Sequence, residues 1–368
     1  MLSRILRDAG VVVAATIGAG IFALPYVFIK AGLWTGIFYL IIMSAVIIFA
    51  HILYWRTLES AGGERRLLGF AKNYLGTSWF SVGFVAVVAG LILALVIYII
   101  LGGRFLRIFI PSLSEQIAAI LFWLASVLPL LFKEKKIVFL ETLGALCIAV
   151  AIFYIFSGGG WRGFPNALAW DINDLFLPFG VILFSLAGWT AIEPLYVSSQ
   201  RGGSSGPYWK QSLALGTIAS AALYLVFVFG VLGTAPWVAP DTISGFLGVP
   251  GWQKFVLAVL GLFAIWTSYE PIALEIKNAL QKDLKWKRVP ALVFVAFAPL
   301  ILVFAGLDDF LKVVGLAGGV FLSLQYLLIL LVARRVLRLP GFQNSALSVA
   351  SLVFILGAIY EVYYFVVG

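Results

Sequence analysis

Long apolar stretches alternate with short polar segments along all 368 residues of the chain. Each stretch is long enough to cross the hydrocarbon core of a bilayer as a helix. The pattern predicts eleven spans, and the loops between them are too short to hold a core of their own. The spans cover roughly residues 9–29, 34–55, 78–103, 115–132, 137–157, 175–198, 211–234, 254–276, 289–306, 311–333 and 345–367. Residues 1–368 are therefore expected to form one all-α, polytopic transmembrane domain.

The first span is interrupted where an ordinary membrane anchor would have leucines. Gly18 and Gly20 weaken the helix, and Pro25 lacks an amide donor, which should free the carbonyl of Ile21. Unpaired backbone groups are unfavourable in hydrocarbon unless they line a cavity or meet a partner. The break predicts either a binding site at membrane depth or a kink packed on small residues.

The sixth span repeats this design in the stretch from Phe184 to Pro194, with small residues before the proline. A pair of interrupted spans in corresponding halves is typical of secondary transporters built from inverted repeats. Spans one to five, about 9–157, then form one repeat, and spans six to ten, about 175–333, form the other. The last span, about 345–367, is an additional helix.

Composition supports a membrane protein, because 63% of the residues are hydrophobic and only 11% are charged. The net charge of +9 does not indicate nucleic-acid binding, since the charges lie in short loops. Most of the 25 basic residues fall on one side, which predicts a cytoplasmic amino terminus and an outside carboxyl terminus in the plasma membrane. Cys147 is the single cysteine and His51, placed at the end of the second span, is the single histidine. We therefore expect no metal site, no catalytic residues and no cofactor beyond a coupling ion.

Several motifs resemble the amino acid/auxin permeases of the amino acid–polyamine–cation superfamily. The first span, Gly18 to Gly32, follows the family pattern G-A-G-I-x-x-L-P-Y-x-F-x-x-A-G. The first loop is basic and contains G-x-x-x-x-Y-L-G from Gly69 to Gly76, and Tyr98 precedes a glycine pair in span three. Span six departs from many relatives in having Glu193 before its proline. The resemblance implies the leucine-transporter-type fold and amino acid uptake.

The two breaks are the expected substrate site, because an amino acid offers both a carboxylate and an ammonium group. Amides at a half-helix amino terminus favour the carboxylate, and carbonyls near the second break accept from the ammonium. Tyr98 is expected either to cap the carboxylate or gate the outer side, or to be a packed interfacial aromatic. Trp189 either borders the side-chain pocket or is core. The candidate residues are Ile17, Gly18, Ala19, Gly20, Tyr98, Phe184, Ser185, Ala187 and Trp189.

Span eight contains a second cluster of oxygen atoms. Thr267 and Ser268 precede Glu270, and Pro271 frees the carbonyl of Thr267. Such ligands suit Na⁺ or a proton relay, and in the resembled fold this span meets span one at a cation site. The alternative is that both hydroxyls bond to their own helix.

Four carboxylates in or near spans, Glu141, Glu193, Glu270 and Glu275, require pairing, protonation or a cavity. Glu270 is the first candidate for a titrating group, Glu193 could line the inner exit, and Glu275 could be a surface charge. Gly315, Gly318 and Gly319 in span ten indicate close packing or a gate hinge.

The predicted function is a secondary active symporter of neutral amino acids, with apolar or aromatic side chains, driven by H⁺ or Na⁺. The expected partners are the amino acid and the lipid bilayer, with neither nucleic acid nor a protein partner required. The nearest alternative is a metal-ion or polyamine transporter on the same fold. A channel or a non-transporting amino acid sensor is a further alternative, and an intramembrane enzyme would need a nucleophile and base that the spans scarcely supply.

Overall fold

The computed structural model describes residues 2–61, 66–131, 149–150, 152–153, 174–200, 206–235, 237–246 and 251–367. The α-helices are α1 (Leu2–Thr16), α2 (Leu24–Lys30), α3 (Leu33–Ser60), α4 (Leu67–Phe70), α5 (Thr77–Phe109), α6 (Glu115–Val127), α7 (Pro178–Leu186), α8 (Ile192–Gln200), α9 (Trp209–Thr234), α10 (Gly251–Lys282), α11 (Arg288–Phe304), α12 (Phe310–Gly315), α13 (Ser323–Val336) and α14 (Gly341–Val367). Short 3₁₀ or π-helical segments join several of them.

Seven helical segments of the described chain are long and apolar enough to cross a membrane. They become eight if α1 and the segment Ala19–Lys30, which is bent by 59° from it, are one span. Helices α6 and α11 are shorter apolar helices at the positions of the fourth and ninth predicted spans. The fifth predicted span, with Glu141 and Cys147, lies almost wholly outside the described residues. The chain is thus a multi-pass membrane protein, and its described elements are all helical.

Helix α3 corrects one prediction, because it continues to Ser60 and leaves His51 inside the span rather than at its end. The prediction failed because polar residues after His51 lower the local hydropathy. Several residues beyond it are nevertheless buried, including Trp55, Thr57 and Leu58, so packing extends the helix past the apolar window.

Two groups of helices pack mainly within themselves. The first contains both broken spans, with α1 packed on α9, and with α3 in contact with α2, α7, α8 and α9. The second is centred on α5, which packs on α6, α10 and α11. Tenth-span segments contact both groups, and α14 packs on the outside of the tenth span.

The tenth span is irregular, because a π-helical segment, Leu316–Leu322, separates α12 from α13. A side-chain carbon on Gly318 would overlap the carbonyl of Gly180 in α7. The packing role predicted for the glycines of this span is therefore confirmed. The segment lies where α7, α5 and α14 converge, and π-helical turns in membrane helices often mark functional sites.

Candidate functional site

The first broken span changes conformation at Gly18. Helix α1 ends at Thr16, the backbone at Gly18 is extended, and a 3₁₀ turn over Ala19–Ala23 leads into α2. No side chain caps that turn at Gly18. The carbonyl of Ile21, expected to be free, accepts a hydrogen bond from the amide of Leu24. That prediction was wrong because the chain leaves the α-helix several residues before Pro25, and the tighter turn pairs Ile21 three residues ahead.

The second broken span opens between Leu186, where α7 ends, and the 3₁₀ turn Trp189–Ala191. The amides of Gly188 and Trp189 meet the hydroxyl of Tyr326 on α13. That hydroxyl also lies 3.0 Å from Nε2 of His51. The second break therefore lies beside a tyrosine hydroxyl that contacts the buried His51.

Tyr224 on α9 connects the two breaks. Its hydroxyl lies 3.0 Å from the carbonyl oxygen of Thr16 and 2.5 Å from that of Ser185. Both carbonyls belong to the last turns of α1 and α7, whose carbonyls have no partner further along their own helices. The single hydroxyl proton of Tyr224, shared between these two acceptors, thus links the unwound ends of both broken spans.

Two glycines, which have no side chain, also allow the breaks to come into contact. A side-chain carbon on Gly20 would lie 2.5 Å from Ser185 Oγ and 2.9 Å from Phe184 Cδ1. One on Gly18 would lie 3.2 Å from the hydroxyl oxygen of Tyr98. The structure therefore brings together the predicted residues of spans one, three and six. Ile17, Ala19, Ser185 and Tyr98 are buried, whereas Gly18, Phe184 and Ala187 are partly exposed.

Trp189 is buried and joins the second break to the α5 group. Its indole Nε1 donates to Gln325 Oε1 at 2.8 Å, and Gln325 Nε2 donates to the carbonyl of Ala86 at 2.9 Å. This series of hydrogen bonds runs from the 3₁₀ turn before α8, through α13, to α5. The ring is therefore fixed in position beside the break.

The predicted cation or proton site on α10 belongs to the helix group centred on α5, and not to the group that contains the two breaks. The hydroxyls of Thr267 and Ser268 both donate to the carbonyl of Ala264, at 3.0 and 2.9 Å. Glu270 is partly exposed and Tyr269 is fully buried. Helix α10 packs chiefly on α5, with further contacts to α11 and α6. The hydroxyl oxygens keep lone pairs for a cation, but they hydrogen-bond first to their own helix.

A cavity of about 530 Å³ leads to Trp189 from the end of the bundle where α3 ends and α5 begins. Arg66 lies in this cavity between two carboxylates, paired with Glu275 and 3.6 Å from Glu193. Glu193 also accepts from Tyr54 and, at 3.1 Å, from the amide of Leu67. The cavity is lined by Arg66, Trp189, Thr190, Glu193, Pro194, Val197, Ser198 and Glu275.

These contacts form what we call the Arg66 cluster: Tyr54, Arg66, Glu193 and Glu275. Glu193 lines the cavity, and its expected place at the inner exit stays a prediction; Glu275 is an ion-pair partner rather than the expected surface charge. Burial lowers the pKa of Arg66, yet attraction to Glu275 and Glu193 raises it overall, so the guanidinium stays charged. Burial raises the pKa of the nearby Asp283 carboxyl, and Arg66 opposes this shift.

A second ion pair closes the other end of the bundle. Arg104 Nη1 lies 2.7 Å from Oδ2 of the buried Asp241. Thr242, next to Asp241, donates to the carbonyl of Phe22 at 2.5 Å, which ties this loop to the first broken span. Arg104 lies about 40 Å from Thr77 along α5, given the α-helical rise per residue. The two ionic contacts therefore lie at opposite ends of the bundle.

Sequence reasoning missed three residues at or beside the breaks, His51, Tyr224 and Tyr326, and a fourth, Glu361, at the other end of α7. Glu361 on α14 is 3% exposed and accepts from the amide of Gly180 at 3.0 Å. A carboxylate inside an apolar window is the signal that selected Glu270, and the same signal marks Glu361. No local signal distinguishes Tyr224 or Tyr326 from the other 12 tyrosines, because their partners are far along the chain.

Comparison with known proteins agrees with this architecture. Among solved structures, MhsT in complex with L-phenylalanine superposes with a TM-score of 0.59 at 18% identity, over 95% of this chain and 98% of that chain. The chain therefore shares the fold of MhsT. A search of curated protein sequences finds no significant match.

A family profile described as transmembrane amino acid transporter protein matches residues 3–236. The match covers both broken spans and the helices α3 and α9 that pack around them. It confirms the resemblance noted in the sequence and indicates a transporter rather than an enzyme. The chain belongs to the transmembrane amino acid transporter family.

Proposed function

We propose that this protein is a secondary active symporter that moves neutral amino acids with apolar or aromatic side chains across the plasma membrane. The observation that carries the proposal is the meeting of two unwound spans at Tyr224, within a chain of an amino acid transporter family. The substrate carboxylate binds the uncapped amides after Gly18, and the ammonium binds carbonyls at the end of α7. The substrate shell is Ile17, Gly18, Ala19, Gly20, Tyr98, Phe184, Ser185, Ala187 and Trp189.

The preference for an apolar or aromatic side chain rests on the residues beside the breaks. Phe184 and Trp189 present rings there, and Ile17 is aliphatic. The Arg104–Asp241 pair lies at one end of the bundle, and the Arg66 cluster, which shares a cavity with Trp189, lies toward the other end. MhsT, which has a similar fold, binds L-phenylalanine. A neutral side chain packs against such walls without leaving a buried charge unpaired.

Alternating access follows from the two helix groups, with the first group rocking against the second. Their membership supports eleven spans arranged as a five-plus-five inverted repeat. Spans one, two, six and seven pack together, and so do spans three, four, eight and nine. Each group thus takes equivalent members from both halves. The Arg66 cluster then acts as the inner gate, and the Arg104–Asp241 pair acts as the outer gate.

The coupling ion is H⁺ or Na⁺, and the proposed coupling residues on α10 are Thr267, Ser268 and Glu270. A carboxylate and two hydroxyls on adjacent turns provide hard oxygen ligands for Na⁺ or positions for a proton. The distribution of basic loop residues supports an amino terminus in the cytoplasm and a carboxyl terminus outside. In this orientation the Arg66 cluster and its cavity face the cytoplasm.

The proposal is tested by counterflow of a panel of labelled amino acids in proteoliposomes that contain the purified protein. We expect exchange of apolar or aromatic amino acids, followed by accumulation when a pH or Na⁺ gradient is imposed. Exchange confined to charged amino acids would contradict the substrate class. Absence of all amino acid exchange by folded protein would reject the proposal, and uptake of a labelled divalent metal or polyamine would then replace it.

A further inference from the structure

Glu361 is a buried carboxylate within the last two turns of the apolar helix α14, and the proposed transport mechanism does not use it. Its side chain is 3% exposed, and Oε1 lies 3.0 Å from the amide nitrogen of Gly180. Gly180 is in the first turn of α7, the first half of the second broken span. The amides of a first helical turn have no partner in their own helix, and no side chain of the N-cap, Leu177, bonds to them. Glu361 supplies that partner from another span.

Three glycines make room for this carboxyl group. A side-chain carbon on Gly180 or Gly319 would overlap Glu361, and one on Gly315 would lie 2.8 Å from Glu361 Oε2. Gly315 and Gly319 come from the tenth span, on either side of the start of its π-helical segment. Two spans therefore omit side chains at the positions that enclose the Glu361 carboxyl.

Capping of α7 alone does not require an acid, because a glutamine oxygen would accept the same hydrogen bond. Ionised carboxylates are unfavourable at membrane depth and usually have a function there. None of the ion pairs between described residues includes Glu361. The titratable groups next to it are Tyr360 and Tyr364 on α14. The groups that interact with these two tyrosines are Tyr39 on α3, Tyr26 on α2, Asp174 before α7 and Asp309 before α12. The described surroundings thus give the carboxyl an amide, not a cation.

Glu361 connects α14 to the first half of the second broken span. Helix α7 packs on α2 and α3 in the group that contains both broken spans, and also extensively on the π-helical segment, which α14 contacts as well. The ionised carboxyl makes a charge-assisted hydrogen bond to a helix amino terminus, which favours negative charge. Protonation removes the charge and weakens that attachment. The protonation state therefore changes how firmly α7 is held to the tenth and last spans.

We propose that Glu361 is a proton-binding site whose occupancy controls the movement of α7 during transport. The ionised form holds α7 against the π-helical segment and α14, and the protonated form releases α7 to move with its group. This inference rests on the proposed alternating access for its consequence, but proton binding at Glu361 is measurable without any substrate. The site is separate from the α10 residues proposed for the coupling ion.

The first experiment is infrared difference spectroscopy of the purified protein between acidic and alkaline pH. Wild type should show the carbonyl band of a carboxyl group that becomes protonated, and Glu361→Gln should lose that band. Glu115→Gln is the matched control, because Glu115 is an exposed carboxylate paired with Arg107 at a helix end. A titrating band that Glu361→Gln leaves unchanged overturns the proposal, whatever the substrate proves to be.

The second experiment measures counterflow of labelled L-phenylalanine, L-leucine and L-tryptophan at several pH values. Wild-type exchange should accelerate as the pH falls, because protonation releases α7. Glu361→Gln keeps the acceptor for Gly180 but stays neutral, so its exchange should persist and lose the acceleration. An unchanged pH profile would overturn the proposal. Absence of exchange in folded wild type would reject the transport function and leave the infrared result to decide the proton site.

If Glu361→Gln does not fold, Glu361→Asp tests whether Glu361 binds the proton. Aspartate keeps a titratable carboxyl but withdraws it from Gly180 by one methylene group. Its carbonyl band should therefore titrate at a different pH from that of wild type. A band that titrates identically in both proteins would show that another residue binds the proton.

Discussion

The hydroxyl of Tyr224 is bonded to backbone carbonyls of two spans that are distant in sequence, Thr16 and Ser185. Both carbonyls lie in a buried region, where an unpaired acceptor destabilises the fold. The position of the breaks relative to each other therefore depends on one side chain of α9. Neither break would be held at this spacing by its own helix.

Replacing Tyr224 by phenylalanine keeps the ring and removes only this hydroxyl. We expect the free energy of unfolding to fall by about 1–3 kcal/mol, because two buried carbonyls lose their partner. Exchange should also weaken, since the breaks are no longer held at a fixed spacing. Thermal unfolding in detergent and counterflow measure the two effects. Tyr363→Phe is the control, because Tyr363 is exposed, and an equal loss in both variants would contradict the assigned role.

A substitution at Gly20 tests the substrate site by adding a side chain instead of removing a polar group. Gly20→Leu places a side chain against Ser185 and Phe184 at the junction of the breaks. We expect transport to be abolished while folded protein remains in the membrane, as judged by gel filtration. Gly10→Leu is the matched control in the same span, because no atom lies within 4 Å of a side-chain carbon there. Retained counterflow in Gly20→Leu would reject the site.

At the scale of helices, hydropathy located the long apolar helices and the bent first pair, α1 with Ala19–Lys30. It underestimated α5 and α10, whose ends at Phe109 and Lys282 project beyond the apolar windows. Glycine and proline located both breaks, since these residues disrupt helices locally. They did not identify the free carbonyls, because the 3₁₀ turn that pairs Ile21 depends on where the chain first unwinds.

The contacts that position the site were beyond local sequence patterns. His51 bonds to Tyr326 and Glu361 to Gly180, and each pair joins spans that are far apart in the chain. Such pairs depend on which helix faces meet, and the spans are apolar around their whole circumference. Periodicity therefore indicates burial in lipid or protein without specifying a neighbour.

Helix α10 makes a prediction about the coupling ion. Thr267→Ala combined with Ser268→Ala removes both hydroxyls and leaves the helix, since the lost hydrogen bonds are to its own Ala264. If Na⁺ drives uptake, the Na⁺ concentration for half-maximal uptake should rise about tenfold or more, as expected when about 1.4 kcal/mol of binding energy is lost.

Ser348→Ala is the control for that experiment, because Ser348 also bonds to its own helix but is exposed on α14. Unaltered Na⁺ dependence in the double variant would exclude the hydroxyls as ligands. If wild-type uptake does not depend on Na⁺, we expect Glu270 on α10, and not the two hydroxyls, to be the coupling group. Glu270→Gln should then remove the dependence of uptake on a pH gradient and keep counterflow.

For the whole molecule, the decisive feature is that ionic contacts lie at both ends of the bundle. The Arg66 cluster joins the loop before α4 to α8 and α10, and the Arg104–Asp241 pair joins α5 to the loop before α10. A transporter that alternates access must break these contacts in turn. Weakening either one should shift the population toward the conformation in which that end is open.

Ser198 reports on this equilibrium, because it lines the cavity beside the Arg66 cluster. In a Cys147→Ser background, Ser198→Cys gives a single thiol whose labelling rate measures how open that end is. Arg66→Gln should accelerate labelling about fivefold or more, and Arg104→Gln should slow it by a similar factor, within the range of ordinary coupling energies. The opposite signs follow because each variant destabilises the closed form of a different end.

Arg107→Gln is the control for Arg104→Gln, because Arg107 forms an exposed pair with Glu115 at the same end of α5. Exposed ion pairs contribute little, so labelling should stay at the wild-type rate. If both gate variants changed labelling in the same direction, the ionic contacts would act on general stability and not on alternating access. Opposite changes, with Arg107→Gln unchanged, mean that the two ends open in exchange for one another, which a channel with both ends open would not show.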